Sequence, residues 1–192
     1  MTIQAILFDI GGVLVRTIDR APRQALAERL NMTAHDLEEL VFGGESGRRA
    51  QLGQIDESEQ WNYACRQVGW PSDQVMEFRS QFFGGDRLDA GLLEHIRLLH
   101  QDYQTGIISN AMNGTRALIE GPCAMGDIFD AILLSGEVGV MKPDPRIYQL
   151  ALQRLDVQPE QAVFIDDFAH NIAGAEAIGM RGIHFRDPAQ AL

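Results

Sequence analysis

The chain has 192 residues, a net charge of −11 and 45% apolar residues. This length predicts one domain, or one domain with an insertion, and the composition is that of a globular protein. The negative charge without a basic cluster argues against nucleic-acid or anionic membrane partners. No stretch approaches the roughly 20 apolar residues that span a bilayer, and the first residues show no signal-peptide pattern. Cys65 and Cys123 are isolated from each other, so we expect reduced thiols and a cytoplasmic location.

Five short apolar runs predict buried β-strands. The last four runs alternate with helical patterns over 89–101, 144–155 and 170–180. Alternation of this kind predicts an α/β protein with a parallel sheet and helices on both faces. The predicted strands are residues 4–8, 105–109, 131–135, 162–166 and 182–185.

Residues 16–86 interrupt this alternation and contain no convincing strand pattern. We predict four or five helices in this stretch, at residues 22–30, 33–42, 56–69 and 72–83, with residues 47–53 as the candidate for a fifth. Thr33 with Asp36, and Asp56 with Glu59, have the spacing of reciprocal helix-capping pairs. The sequence therefore predicts an α/β core formed by residues 1–15 and 87–192, with a helical insertion over residues 16–86.

Polar residues follow four of the predicted strands. Ligands of open parallel sheets bind beyond the carboxyl ends of the strands, so these positions mark the expected site. Taken singly, each residue has an ordinary reading as a turn residue, a helix cap or a surface lysine. Their coincidence at one edge of one sheet favours a functional site composed of Asp9, Ser109, Asn110, Lys142, Asp166 and Asp167.

Three carboxylates without a nearby histidine or cysteine form an all-oxygen ligand set, which favours Mg²⁺ over zinc. Such carboxylates repel one another unless a cation lies between them. Mg²⁺ together with a lysine and a hydroxyl can neutralise a phosphoryl group during transfer. An aspartate beside the metal, here Asp9, can attack phosphorus and form an aspartyl-phosphate.

Four segments resemble, in order, the four motifs of the haloacid dehalogenase (HAD) superfamily, and the resemblance covers nearly the whole chain. Its phosphatase branch, which includes the phosphatase domain of soluble epoxide hydrolases and bacterial sugar-phosphate phosphatases, is the most similar. The resemblance implies a Rossmann-like three-layer core, a strand order of 5-4-1-2-3 and a small all-helical cap over residues 16–86. The four segments are "ILFDIGGVLV" (6–15), "IISN" (107–110), "VMKPDPRIY" (140–148) and "FIDDFAHNIAGAEAIGM" (164–180).

The resemblance also implies roles for the site residues. Asp9 would be the nucleophile and a metal ligand, and Lys142 would orient it and offset charge. Ser109 would bind the phosphoryl oxygens, and we place Asn110 and Lys142 in the same substrate-binding set. Mg²⁺ would be held by Asp9, the Gly11 carbonyl and Asp167, with Asp166 bound directly or through water and Asn171 supporting these ligands.

Gly11 departs from the pattern, because most phosphatases of this family carry a second aspartate two residues after the nucleophile. That aspartate protonates the leaving oxygen and then activates water, and its main-chain carbonyl binds the metal. Glycine keeps the carbonyl and removes the carboxylate, so we expect an intact metal site and a different proton source. Water, an acidic leaving group, His170 and Asp19 are the alternatives.

Three interpretations other than a phosphatase acting on small organic phosphates remain open. A phosphoacceptor receiver domain uses similar residues, but it carries its acid pair on the first strand. A 2-haloacid dehalogenase needs no metal and typically lacks the acid pair found here at Asp166 and Asp167. A member impaired by Gly11 would bind Mg²⁺ and phosphate, or a partner protein, without useful turnover. We expect the protein to be a monomer or a homodimer.

Overall fold

The computed structural model describes residues 2–121 and 125–187, so Cys123 lies outside the described residues. The strands are β1 (Ala5–Phe8), β2 (Val15–Thr17), β3 (Asp86–Leu88), β4 (Gln104–Ser109), β5 (Ala131–Leu134), β6 (Ala162–Asp166) and β7 (Arg181–His184). Five of them form a sheet in the order β5-β4-β1-β6-β7, in which all neighbours are parallel. The five predicted strands, counted along the chain, are β1, β4, β5, β6 and β7. The predicted order 5-4-1-2-3 is therefore the observed order read from β7 to β5, with β1 at the centre.

Residues between β2 and β3 form five α-helices, where the helical pattern predicts four or five. They are α1 (Ala21–Arg29), α2 (Ala34–Phe42), α3 (Gly44–Gln51), α4 (Glu57–Gln67) and α5 (Val75–Phe82). Their buried side chains form a separate hydrophobic cluster that includes Leu37, Trp61 and Phe78. The helical insertion therefore has a hydrophobic core of its own.

One of the two predicted capping pairs is confirmed. The Thr33 hydroxyl accepts from the Asp36 amide, and the Asp36 carboxylate accepts from the Thr33 amide, which forms a capping box. At the start of α4, Asp56 accepts from the Ser58 amide at 2.8 Å. The predicted pairing of Asp56 with Glu59 is thus wrong, because the Asp56 carboxylate caps the helix one residue earlier.

Helices after β3 cover both faces of the sheet. They are α6 (Ala90–Leu99), α7 (Thr115–Glu120), α8 (Ser135–Val138), α9 (Pro145–Leu155) and α10 (Ala169–Glu176). Neighbouring residues of a strand point to opposite faces. Leu7 accordingly packs with residues of α9 and α10, whereas Phe8 packs with residues of α6 and α7. This gives the predicted three-layer α/β core, with β1 buried on both sides.

The prediction that residues 16–86 contain no strand is wrong at both ends of that range, where β2 and β3 lie. β2 and β3 pair antiparallel, with Val15 opposite Leu88 and Thr17 opposite Asp86. The Thr17 hydroxyl also donates to the Asp86 carboxylate at 2.6 Å. The two chain segments that lead into and out of the insertion are therefore joined to each other.

No helix among residues 2–121 and 125–187 is long and apolar enough to cross a membrane. Cys65 is a free thiol buried within the helical insertion.

Candidate active site

Asp9 follows the central strand and is buried at its carboxyl end, with 6% of its surface exposed. Its amide donates to the carbonyl of Ile165 on β6, which continues the sheet pairing by one residue. Its Oδ1 accepts from the following amide, that of Ile10, at 2.7 Å. The main chain on both sides of Asp9 therefore fixes the orientation of the carboxylate.

Lys142 lies between two carboxylates. Its Nζ is 2.8 Å from Asp9 Oδ2 and 2.6 Å from Asp166 Oδ2, and its side chain is fully buried. It is also the only lysine of the chain. A buried charge is stable only when it is paired and hydrogen-bonded, and these two contacts provide that pairing. One ammonium group thus faces two carboxylates.

Asp166 is surrounded by donors. Besides Lys142, its Oδ1 accepts from the Phe168 amide at 2.7 Å. The Asn171 amide group donates to both Asp166 oxygens, at 3.0 and 3.1 Å. Asn171 is buried, and its main-chain carbonyl accepts from the Tyr148 hydroxyl at 2.8 Å. With its oxygens engaged in this way, Asp166 is better placed to orient Lys142 than to bind a metal directly.

Asp167 differs from its neighbour because its buried Oδ1 has no hydrogen-bond partner. Burial, followed by the charges of Asp9 and Asp166, raises the pKa of Asp167 to about 6. A Cβ on Gly12, whose φ is +74°, would lie 2.1 Å from Asp167 Oδ2, so only glycine leaves room for this carboxylate. An unpartnered buried oxygen among like charges is the arrangement that a bound cation would stabilise.

Oxygens of Asp9, Asp166 and Asp167 lie within 4.8 Å of one another, so the structure brings together the predicted carboxylates. Burial raises the pKa of Asp9, whereas the charge of Lys142 and a hydrogen bond from Ser109 act to lower it. The net charge of three carboxylates and one ammonium group is negative. This charge and the all-oxygen donor set fit a hard divalent cation such as Mg²⁺.

Ser109 and Asn110 follow β4, next to β1 in the sheet. The Ser109 hydroxyl bonds to Asp9 and is almost fully buried. The Asn110 carboxamide accepts from the Lys142 amide at 2.8 Å and donates to the Lys142 carbonyl at 3.1 Å. The Asn110 side chain therefore fixes the main chain of Lys142, a role that the sequence did not indicate.

Gly11 is exposed, and a Cβ at this position would have no heavy atom within 4 Å. Positive φ occurs at Gly12 rather than at Gly11. Two of the alternative proton sources, His170 and Asp19, are exposed side chains. His170 is exposed and packs against the Phe168 ring, with 5.4 Å between the ring centroids. Asp19 is exposed and accepts from the Ala21 amide at 2.9 Å.

Sequence reasoning missed three contacts that support the site: Tyr148 with Asn171, His184 with the Asp167 carbonyl, and Gly12 with Asp167. The His184 ring nitrogen lies 2.9 Å from that carbonyl. The strand alignment gives a partial signal, because His184 is in register with Asp166 on the neighbouring strand. The glycine pair at 11–12 marks a turn, but it does not show which glycine approaches a carboxylate.

The fold and the site define an open-sheet α/β protein with a charged site at the carboxyl ends of its central strands. The chain belongs to the haloacid dehalogenase-like hydrolase family, because the model of that family matches residues 3–179. It is therefore a hydrolase, and the resemblance read from the four sequence motifs is confirmed.

Several curated relatives match nearly all of this chain, and two of them carry the comparison. It is 26% identical over 187 residues to sesquiterpene phosphatase astK of Aspergillus oryzae, and the match covers 97% of this chain and 91% of the relative. It is 29% identical over 215 residues to bifunctional epoxide hydrolase 2 of Sus scrofa, covering 100% of this chain and 38% of the relative. The chain thus spans nearly all of the first relative and less than half of the second.

A solved structure from Bacteroides thetaiotaomicron has a closely similar fold. It is a HAD family enzyme in complex with magnesium and inorganic phosphate, with a TM-score of 0.78 and 20% sequence identity. The match covers 99% of each chain. This likeness supports the three-layer fold together with its helical insertion.

Proposed function

We propose that this protein is a Mg²⁺-dependent phosphatase that hydrolyses small organic phosphate monoesters through an aspartyl-phosphate on Asp9. The observation that carries the proposal is the fixed position of Asp9, which contacts Lys142 and Ser109 beside an unpartnered Asp167 oxygen. A phosphatase among the relatives and a structural neighbour with bound magnesium and phosphate agree with it.

Each residue of the site has a separate role in the proposed reaction. The Asp9 carboxylate attacks phosphorus, the ester P–O bond breaks, and the alcohol leaves with a proton taken from outside the carboxylate cluster. Water then attacks the aspartyl-phosphate, which releases phosphate and regenerates Asp9. Lys142 offsets negative charge at Asp9 throughout, and the Ser109 hydroxyl is placed to donate to a phosphoryl oxygen.

Magnesium would be held by Asp9, Asp167 and the Gly11 carbonyl, while Asp166 and Asn171 would orient the surrounding groups. When bound, it would neutralise charge on the transferring phosphoryl group. Residues 16–86 would form a cap over the sheet edge that holds the substrate's leaving group. The two remaining alternatives fit less well. A 2-haloacid dehalogenase does not need the Asp167 carboxylate, and Gly11 alone supports an impaired enzyme.

Phosphate release from a panel of phosphate monoesters, with and without Mg²⁺, tests the proposal. We expect release that requires the metal and that chelation abolishes. Metal-independent release of halide from a 2-haloacid, without release of phosphate from any ester, would support the dehalogenase. Binding of Mg²⁺ and phosphate without turnover of any ester would support the impaired member.

The raised pKa of Asp167 predicts how pH affects the metal-free protein. Its folded-state pKa of about 6 exceeds the ordinary 3.8, so the folded state binds the proton more tightly. The resulting stabilisation is complete below the unfolded-state pKa and is lost as pH rises through about 6. Because Mg²⁺ competes with that proton, it should raise the melting temperature more above pH 6 than below it.

Thermal melts of the wild type and of Asp167→Asn, with and without Mg²⁺, test this prediction. The amide does not titrate, so the variant should lose the part of the pH-dependent difference that Asp167 contributes and bind Mg²⁺ more weakly in calorimetry. Equal Mg²⁺ affinity in the two proteins would show that Asp167 is not a ligand.

Gly11 predicts an unusual dependence on the leaving group. Aryl phosphates, whose leaving oxygen needs little protonation, should be hydrolysed much faster than alkyl phosphates of similar size. Gly11→Asp should accelerate alkyl esters by up to about 10²–10⁴-fold, the usual contribution of general acid catalysis. The open space at this position and the absence of a positive φ favour a folded variant.

Gly11→Asn is the matched control, because it has the same size and no acid. A gain confined to the aspartate variant and to alkyl esters is the expected pattern. If the wild type hydrolyses both ester classes equally well, another group already supplies the proton.

A further inference from the structure

The segment that follows Ser109 and Asn110 contacts the helical insertion through several consecutive residues. We call residues 111–114, together with their partners Asp56, Glu57 and Ser135, the junction. It begins two residues beyond Ser109, so it continues the loop that we assign to phosphoryl binding. It lies apart in sequence from the β2–β3 pair, which is the covalent connection to the insertion. The insertion is therefore attached to the core at two separate places.

Asn113 completes the start of α4. Its Oδ1 accepts from the Glu57 amide at 3.1 Å, and its Nδ2 donates to Asp56 Oδ2 at 2.8 Å. The first amides of a helix have no partner within the helix, so a residue of the core here supplies a cap to a helix of the insertion. Hydrogen bonds from Ser58 and Asn113 together lower the pKa of Asp56 to about 2.

Gly114 lets the Glu57 carboxylate lie close to the main chain of the junction. A Cβ on Gly114 would lie 1.8 Å from Glu57 Oε2. The Glu57 carboxylate is itself fixed, because its Oε1 accepts from Trp61 Nε1 at 3.1 Å and forms an ion pair with the Arg79 guanidinium at 2.7 Å. Any side chain at position 114 would displace this carboxylate from the junction.

Two buried contacts complete the junction. Met112 is 4% exposed, and its side chain belongs to the hydrophobic cluster of the insertion. The Ser135 hydroxyl, fully buried at the end of β5, accepts from the Ala111 amide at 2.9 Å and donates to the Gln51 carbonyl at 2.6 Å. Separating the insertion from the core here would expose Met112 and leave buried polar groups unpaired, which costs free energy.

We propose that the junction fixes the insertion against the Ser109 loop, so that the cleft is preformed, and that Asn113 is a positioning residue for the leaving group. Rotation about the β2–β3 connection would break the bonds of Asn113 and Ser135 and withdraw Met112 at once. The proposal concerns the same site as the proposed function and rests on it, since the leaving group's place follows from the phosphoryl position.

Hydrogen exchange tests the junction without any need for turnover. Asn113→Ala should speed exchange of the Glu57 amide roughly tenfold, about the effect of losing one hydrogen bond. Asn62→Ala is the matched control, since the Asn62 side chain donates at 2.7 Å to the Ser58 carbonyl within the same helix.

A kinetic comparison tests the positioning role. In Asn113→Ala, KM for 4-methylumbelliferyl phosphate should rise by about threefold or more, because the leaving group is held less well. KM for acetyl phosphate, whose small leaving group does not reach the insertion, should stay unchanged. An equal rise of both KM values would indicate a purely structural role and would overturn the assignment of Asn113.

Inorganic phosphate with Mg²⁺ provides the test of a preformed cleft. The wild type should show slower exchange in the Asp9 and Ser109 loops and unchanged exchange in β2, β3 and the junction. Slower exchange throughout β2, β3 and the junction would indicate a lid that closes, and would overturn the proposal. Equal Glu57 exchange in Asn113→Ala and Asn62→Ala would overturn it as well. Because exchange does not require catalysis, these outcomes stay separate from failure of the proposed phosphatase activity.

Discussion

Asp9→Asn is expected to lower phosphate release by at least about four orders of magnitude, as for removal of a catalytic nucleophile. The amide is a poor nucleophile toward phosphorus, and it removes a negative charge that we assign to the metal. It keeps the size of the side chain and an oxygen that can accept from Ile10, so the fold should persist. The measurement is Mg²⁺-dependent phosphate release from an aryl phosphate, with circular dichroism to confirm folding.

Asp144→Asn is the matched control for this variant. Asp144 is a carboxylate two residues after Lys142 that pairs with Arg146 on the surface. It should change activity little. Near-normal turnover in Asp9→Asn would exclude the covalent mechanism and would mean that water attacks phosphorus directly.

Lys142→Met is expected to reduce turnover by about 10³-fold or more, because it removes the ammonium group that offsets charge at the nucleophile. It should also destabilise the fold by about 3–5 kcal/mol, the usual result of removing one partner of a buried ion pair. Asp9 and Asp166 would then be left buried without a counter-charge. Kinetics and urea unfolding of the same preparation measure both effects.

Arg146→Met is the control for Lys142→Met. Its ion pair with Asp144 has a similar distance of 2.7 Å, but the arginine side chain is 68% exposed. Exposed pairs contribute about 0–1 kcal/mol, so this variant should retain its stability and activity. Equal stability of Lys142→Met and the wild type would contradict the charge arrangement described for the site.

Four strands of the five-stranded sheet, β1, β4, β5 and β6, were predictable because each is largely a run of buried residues, most of them apolar. The edge strand β7 is mostly exposed. β2 and β3 were not predictable, since each has three residues of intermediate or greater exposure. Their pairing also joins residues about seventy positions apart. A strand of this kind exists because the two ends of an insertion return to one place, which local sequence does not encode.

The positions of the strand ends predicted that the site residues lie close together, but not which hydrogen-bond partners each side chain has. Asp166 and Asp167 are adjacent in sequence, yet one is bonded to Lys142 and Asn171 while the other has an unpartnered oxygen. Adjacent residues at a strand end point in different directions, and their neighbours come from distant segments. The Asn110 contacts were hidden for the same reason, because its partner is the main chain of a distant residue.

Trapping the phosphorylated enzyme tests the central claim most directly. The protein is mixed with Mg²⁺ and an aryl phosphate, quenched in acid during turnover, and digested for mass spectrometry. We expect a phosphoryl group on the peptide that contains Asp9, and none in Asp9→Asn. Steady turnover by the wild type, with no phosphoryl group on that peptide at any quench time and undiminished turnover by Asp9→Asn, would contradict the account.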